Sequence, residues 1–364
     1  MLVRLEPRGQ HSHAWSYGSP VLALVLALIT TALIFAILGK DPGVALYTFF
    51  IKPLTTHDSL SELLVKAAPL ILIGTGLSLG FRANVWNIGA EGQYIMGALA
   101  GGGLGLWFYD SNSVLLMPTM ILAGVLGGMA WGAIPAWLKT QFNANEILTS
   151  LMLTYVAQLI LIYLVTGPWR DPEGYGFPQS RMFDDAGTMP ILIEGTRLHL
   201  GVPIALLVVV AAWVLLGKSL VGFQLKVLGQ APRAARYAGF KPRSLVWLSL
   251  MLGGGLAGAA GLFEVAGPIG QLTLKISPGY GFTAIIVAFL GRLHPLGVLF
   301  AALLLALSYL GGEAAQIDLG LPSAVTGIFQ GILLFYLLGC DILIHYRLRF
   351  ARHAPTQRPA RSPS

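Results

Sequence analysis

The sequence is poor in charge. Asp, Glu, Lys and Arg make up 11% of its 364 residues, while 55% are hydrophobic, and an average soluble domain carries about 25% charge. So few charges cannot cover a soluble surface, which excludes an ordinary cytosolic enzyme and a disordered chain. The chain has 1 cysteine, Cys340, so it can form neither an internal disulfide nor a cysteine metal site. The 7 histidines are scattered, and no H-E-x-x-H pattern occurs, so no metal site is expected. Gly217-Lys218-Ser219 has the ending of a phosphate-binding loop. Its first glycine would fall at Ala212, however, and the residues between belong to an apolar run. With no cluster of acid, base and nucleophile either, the chain is not expected to be an enzyme or to bind a nucleotide itself. The formal charge of +7 and pI near 9.5 would suit a nucleic-acid binder, but the basic residues are confined to short loops and the C-terminal tail. That pattern belongs to the cytoplasmic face of a membrane protein.

What the chain has in quantity is apolar runs of membrane-crossing length, about 20 residues each. Ten candidates fall near 20–38, 61–80, 85–107, 113–138, 146–166, 201–217, 244–266, 277–291, 295–311 and 322–340, and the short eighth one reads as broken or re-entrant. The first run is about 18 residues, longer than the ~7–15 of a signal sequence, and no small-x-small cleavage site follows it. It is expected to be a retained helix. With residues 1–19 on the cytoplasmic side, the inner connections hold Arg82, Lys139, Arg292 and the loop 218–243. That loop carries Lys218, Lys226, Arg233, Arg236, Lys241 and Arg243 and no acid. The loop 167–200 has Asp171, Glu173, Asp184, Asp185 and Glu194 against Arg170, Arg181 and Arg197. Positive-inside bias thus favours an even count, with both termini inside. The expected organisation is a transmembrane domain over 20–340, including the loop near 218–243, and a basic tail over 341–364, polar and disordered from about 351. The fold class is all-α and polytopic.

Glycines spaced by four recur as Gly97/Gly101/Gly105, Gly124/Gly128/Gly132 and Gly254/Gly258. Such spacing lets helix backbones approach closely and indicates bundle packing, without bearing on what passes through it. Loop 167–200 is expected to be irregular. Its stretch Gly167-Pro168-Trp169-Arg170-Asp171-Pro172 reads either as a docking surface or as a plain connector.

The polar residues of an apolar chain are its candidate functional residues. Phe81-Arg82-Ala83-Asn84-Val85-Trp86-Asn87-Ile88-Gly89-Ala90-Glu91-Gly92-Gln93-Tyr94 opens the third span with two Asn, a Trp, a Glu, a Gln and a Tyr. Gly89 and Gly92 would let the chain break or bend, which exposes backbone groups able to ligate a solute. Asn84, Trp86, Asn87, Glu91, Gln93 and Tyr94 are therefore candidates to line a substrate pathway, with Glu91 the sharpest. The competing reading makes Glu91 a lock bonded to neighbouring backbone. Amides and aromatic faces without full charge suit a neutral, hydroxyl-rich solute. Glu264 is expected near the outer interface, and Glu62 and Lys66, one turn apart, are expected to pair. Asn145 is expected to cap the fifth span, with Glu146 in its first turn.

Residues 225–240 read as one short helix, with Pro232 suited to a first helical position and Gly239 to an ending. Too polar for the bilayer core, it either lies on anionic lipid or docks in a partner's groove.

At this point the sequence resembles a known family. Gly229 to Phe240 is similar to the coupling helix of bacterial ABC importer permeases, though it lacks the acidic residue of their Glu-Ala-Ala loop. Asn84 to Gln93, Asn145 to Leu153, Gly279 to Arg292 and His294-Pro295-Leu296-Gly297 resemble, in order, the permeases for branched-chain amino acids, simple sugars and nucleosides. The nucleoside branch is the most similar. The resemblance spans about residues 60–340. It implies a permease subunit in a bacterial inner membrane, paired with a second permease subunit, identical or related. Two cytoplasmic ATPases would use ATP and Mg and take up Gly229, Arg233, Arg236, Tyr237, Gly239 and Phe240. An extracytoplasmic protein would deliver the substrate. Nucleosides come first, simple sugars next and amino acids last, and the chain itself would bind no cofactor. The rival from another class is an ion-coupled secondary transporter with Glu91 as its cation site.

Overall fold

The computed structural model describes residues 2–7, 13–111 and 113–351. Its elements are β1 (Leu2–Pro7), α1 (His13–Ile37), α2 (Pro42–Leu46), α3 (His57–Arg82), α4 (Ala90–Trp107), α5 (Leu116–Phe142), α6 (Glu146–Thr166), α7 (Gly201–Lys218), α8 (Leu220–Gln230), α9 (Pro232–Tyr237), α10 (Pro242–Glu264), α11 (Tyr280–Leu290), α12 (Pro295–Leu319), α13 (Ala324–His345) and β2 (Tyr346–Ala351). The chain divides into two compact units, one of residues 1–43 with 327–364 and one of residues 44–326.

In the unit of the two chain ends, the Ser19 hydroxyl donates to Asp341 Oδ1 at 2.9 Å. The Thr30 and Tyr336 hydroxyls bond at 2.9 Å. β1 pairs antiparallel with β2, Leu2 opposite Ala351 and Pro7 opposite Tyr346. The ends of the described chain therefore lie together. α1 starts at His13, within the expected N-terminal segment, and the expected tail is ordered through Ala351. Its remainder, 352–364, lies outside the described residues.

Among the described residues, eight helices are long and apolar enough to cross a membrane: 18–37, 57–82, 116–142, 146–166, 201–218, 242–269, 295–319 and 324–344. The other two expected spans differ in kind. α4 has 18 residues, but Glu91 and Gln93 dilute its apolar character. α11 has 11 residues and reaches only about 16 Å, half the hydrocarbon thickness.

The core of the larger unit is built from glycine contacts. A Cβ on Gly97 would collide with the Gly258 backbone, one on Gly128 with the Gly254 carbonyl, and one on Gly258 with the Gly124 carbonyl. α4, α5 and α10 therefore meet backbone to backbone through the three glycine series. In a lipid solvent this close packing replaces the hydrophobic drive that would join the helices in water. α3 is buried over most of its length, whereas α5, α6 and α7 bury only narrow stripes.

Loop 167–200 is irregular, as expected, but anchored. The Ser180, Phe183 and Met189 amides donate to the carbonyls of Leu272, Gly270 and Ala266 at 2.9, 2.8 and 2.8 Å. Glu62 and Lys66 do not pair with each other. Glu62 takes a two-pronged bond from Arg197, at 2.6 and 3.1 Å, and Lys66 pairs with Glu313 at 2.9 Å. Each side chain reaches a facing element, which fixes the loop and α12 against α3 in a way the helical pair could not.

Buried His199 closes this loop. Its Nδ1 accepts the Gly201 amide at 3.1 Å, and burial pushes its pKa from 6.5 down to about 4. The folded state thus favours the neutral ring. The stability this contributes is complete above pH 6.5 and is lost as pH falls toward 4, amounting to roughly 3 kcal/mol. Thermal melts of the purified protein at pH 7.5 and 5.0 should show the loss, and His199→Asn should flatten the difference. The glycine core gives a second expectation. Gly258→Val should cost at least about 3 kcal/mol and remove the monodisperse peak in size-exclusion chromatography. Gly217→Ala, with nothing within 4 Å of the added carbon, should leave both measurements unchanged.

Candidate functional site

The chain breaks between α3 and α4 for local reasons. Asn84 takes the left-handed conformation, φ 57°, and the Val85 amide turns back onto the Gly80 carbonyl at 2.9 Å. Residues 85–89 then run without regular secondary structure into the bundle before α4 starts at Ala90. Non-helical backbone at membrane depth needs partners for its amides. Trp86 N donates to Glu146 Oε1 at 3.5 Å, Ile88 N to Ser150 Oγ at 3.2 Å, and Gly89 N to Asn87 Oδ1 at 3.1 Å. α6 thus supplies two side chains to the segment. Gly89 and Gly92, expected to let the chain bend, have another role. A Cβ on Gly89 would stand 2.5 Å from the Ser150 carbonyl, and one on Gly92 would stand 2.8 Å from Thr154 Cα. Their missing side chains admit α6.

Four of the six pathway candidates are buried around the first turns of α4, in two hydrogen-bonded groups. Asn87 Nδ2 donates to Gln93 Oε1 at 2.7 Å, and Gln93 Nε2 donates back to Asn87 Oδ1 at 3.2 Å. Glu91, 7% exposed, accepts the Gly281 amide at 2.6 Å through Oε2 and is bonded by the Ser277 side chain. A Cβ on Gly281 would overlap the Glu91 backbone, so the first turns of α4 and α11 abut. The Tyr94 hydroxyl donates to the Ile276 carbonyl at 2.9 Å. From it an aromatic series continues, with Tyr94 and Tyr280 rings 6.2 Å apart and Tyr280 and Tyr309 rings 5.4 Å apart. The Thr283 and Tyr309 hydroxyls bond at 2.7 Å. Asn84 and Trp86 stand apart from both groups. Asn84 is exposed and accepts the Trp86 indole N–H at 2.9 Å, while the Trp86 ring stacks on Phe81 and Phe289 at 5.0 and 5.8 Å.

Ser277, Tyr280, Gly281, Thr283 and Tyr309 were not among the candidates. Tyr280, Gly281 and Thr283 lie within the α11 block that carries the family resemblance and Ser277 just before it, but only the fold brings this stretch to Glu91. Asn145 caps α6 as expected, accepting the Ile147 amide at 2.9 Å. Glu146 goes beyond its expected place in the helix dipole by pairing with Lys139. Glu264 is half-buried at the end of α10, where a π-turn, Val265–Ile269, follows.

The basic loop forms two helices rather than one. Ala231, in neither, separates α8 from α9 because Pro232 opens α9 and disfavours helix in the residue before it. Gly239 ends α9 with φ 77°, as expected. The candidates divide accordingly. Arg233, Arg236, Gly239 and Tyr237, the last 92% exposed, point away from the bundle. Phe240 is half-buried against Phe223, 6.2 Å between rings. Gly229 is a packing residue, since a Cβ there would overlap the Arg82 carbonyl. Beneath α9, Ala235 joins Leu225 and Leu228 of α8 in one buried cluster with Ala83 and Val85, the root of the re-entrant segment. Arg82 closes the junction by donating from Nε to the Leu293 carbonyl, just past α11, at 2.8 Å.

A polytopic bundle with interrupted helices around a polar centre defines a membrane transport protein. Residues 59–338 match the family described as branched-chain amino acid transport system / permease component, and the chain belongs to it. It is 38% identical to the glucose ABC transporter permease protein TsgB13 of Haloferax volcanii, over 96% of this chain and 94% of that one. It is 29% identical to the guanosine ABC transporter permease protein NupP of Bacillus subtilis, over 91% and 94%. It is 26% identical to the nucleoside ABC transporter permease protein NupB of Lactococcus lactis, over 87% and 89%.

The Glu91 contacts predict a graded response. Glu91→Gln keeps an acceptor for Gly281 and should melt within a few degrees of the parent. Glu91→Ala leaves a buried amide unpaired and should cost about 1–3 kcal/mol, read as a lowered melting temperature of the detergent-solubilised protein.

Proposed function

We propose that this chain is the membrane-spanning subunit of an ATP-driven importer in the cell membrane, with both termini cytoplasmic. Separate ATPase subunits, using ATP and Mg, bind the exposed face of α9. A second permease subunit completes the pathway, and an extracytoplasmic binding protein delivers the solute. The observation that carries this reading is the shared cluster of Ala235, Leu225 and Leu228 with Ala83 and Val85. A partner that moves α9 thereby moves the root of the segment bearing Asn87, Glu91 and Gln93. The chain hydrolyses nothing itself.

The solute is neutral and rich in hydroxyls, a nucleoside in the first reading. Tyr309, half-buried at the end of the aromatic series, offers a face on which a base or sugar ring can stack. The second reading is a hexose, favoured by the 38% identity to a glucose permease protein. In both, Asn87 and Gln93 exchange their mutual bonds for solute hydroxyls only when the pathway opens, so this chain selects loosely.

The test is uptake into proteoliposomes holding the assembled complex, with labelled guanosine, uridine and glucose competing. Guanosine uptake that needs ATP inside supports the first reading, and glucose uptake alone supports the second. Arg233→Glu/Arg236→Glu should lower ATP-driven uptake at least tenfold and weaken capture of the ATPase, with the melting temperature unchanged. Unaltered uptake and capture would remove α9 from the mechanism. Uptake driven by an ion gradient without ATP, and abolished by Glu91→Gln, would establish the secondary transporter instead.

A further inference from the structure

Two cavities outside the polar cluster share one wall. The first, of about 310 Å³, lies where α4 ends and loop 167–200 begins, lined by Trp107, Pro168, Trp169, Arg170 and Arg181 among others. The second, of about 360 Å³, is a groove between α4, α5 and α6, lined by Leu99, Ala100, Ala130, Trp131, Ile160 and neighbouring apolar residues, with Trp169 at its end. Trp169 is held firmly. Its amide donates to the Leu164 carbonyl at 2.8 Å, and its indole lies on Gly103, where a Cβ would stand 2.7 Å from the ring.

The chemistry changes along this path. Ala100 lies seven residues inside Trp107, about 10 Å below the end of α4, so the groove is at hydrocarbon depth. The upper cavity sits at the end of the span, with Trp107 83% exposed, the position of an interfacial aromatic. Arg170 and Arg181 are both exposed. Neither forms an ion pair among the described residues; Arg181 lies 5.5 Å over the Tyr109 ring. A pair of guanidinium groups at an interface suits a phosphate, which each can grip with two parallel N–H bonds. An apolar groove leading down from that pair suits an acyl chain, whereas a free anion or a carboxylate on a docking protein would leave the groove unused.

We propose that these joined cavities hold an anionic phospholipid, its phosphate between Arg170 and Arg181 and one acyl chain in the groove past Trp169. The site is separate from the solute pathway and does not depend on which solute is carried. The lipid fills the gap between α4, α5 and α6 and tethers the start of loop 167–200.

The test is native mass spectrometry of the detergent-purified complex titrated with dioleoyl-phosphatidylglycerol or dioleoyl-phosphatidylcholine. Phosphatidylglycerol should bind at least tenfold more tightly than phosphatidylcholine. Arg170→Gln/Arg181→Gln should erase that preference with the melting temperature unchanged, because both side chains are exposed. Ala130→Trp, which fills the groove from its exposed side, should weaken phosphatidylglycerol with both arginines intact. Millimolar inorganic phosphate should not displace the lipid. Equal binding of the two lipids, a double variant that keeps the preference, or no effect of Ala130→Trp would overturn the proposal. So would displacement by inorganic phosphate, which would make the pocket a free-anion site. Loss of binding-protein capture in the double variant with lipid affinity unchanged would assign the arginines to a protein partner instead.

Discussion

The bond from the Gly281 amide to Glu91 is the constraint around which the larger unit is arranged. Two helices begin inside the bundle, and each leaves its first amides without helical partners. In water those amides would be hydrated, but in hydrocarbon each unpaired one costs several kcal/mol. A carboxylate at that point satisfies an amide directly and lies at the positive end of both helices. This bond by itself gives Glu91 a structural role. The requirement propagates outward. Gly281 can carry no side chain, Ser277 must face the carboxylate, and Tyr94 must reach the carbonyl of Ile276, which helical bonding leaves over.

This polar centre exists only because the helices around it approach so closely. Gln93 lies near Gly132 and Gly254 of α5 and α10, and larger residues there would hold the backbones apart and admit lipid or water to the amides. The glycines at these helix contacts therefore serve two connected ends. They supply packing energy where helices have no hydrophobic drive to associate, and they seal a segment that could not survive in contact with acyl chains.

Much of this was legible in the sequence, because a membrane solvent writes simple rules. Scarcity of charge gave the class, apolar runs gave nearly all the spans, and spacing by four marked the glycine faces. The cap at Asn145, the start of α9 at Pro232 and its end at Gly239 followed from local chemistry. What failed were pairings between elements distant in sequence. Glu62 and Lys66 satisfy the helical pairing rule, yet each has a better partner on a facing element. Gly89 and Gly92 carry the signature of a flexible break, whereas their role is set by α6, some sixty residues away. α8 was read only in part, within one helix over 225–240; its start at Leu220 and its separation from α9 at Ala231 were missed, and its buried face, Leu225 and Leu228, packs against Ala83 and Val85.

The arrangement of Arg82 explains how one cytoplasmic motion could reach both interrupted helices. Its carbonyl sits against Gly229 on α8 and its guanidinium holds the carbonyl just past α11, while its chain continues directly into the re-entrant segment. The start of the segment that leads into α4 and the far end of α11 are thus fastened at one residue, and the first turns of α4 and α11 meet at Glu91. A displacement of α8 cannot shift one half of this frame alone, since packed interiors respond by changing between discrete arrangements rather than by yielding continuously. Under the importer reading, closure of the ATPases would act on α9, Ala235 would carry it to Val85, and the Glu91 junction would move as a body with its bonds intact. Under the same reading, the amide pair of Asn87 and Gln93, bonded to each other and to the Gly89 amide, is the part of the centre that would open to a solute.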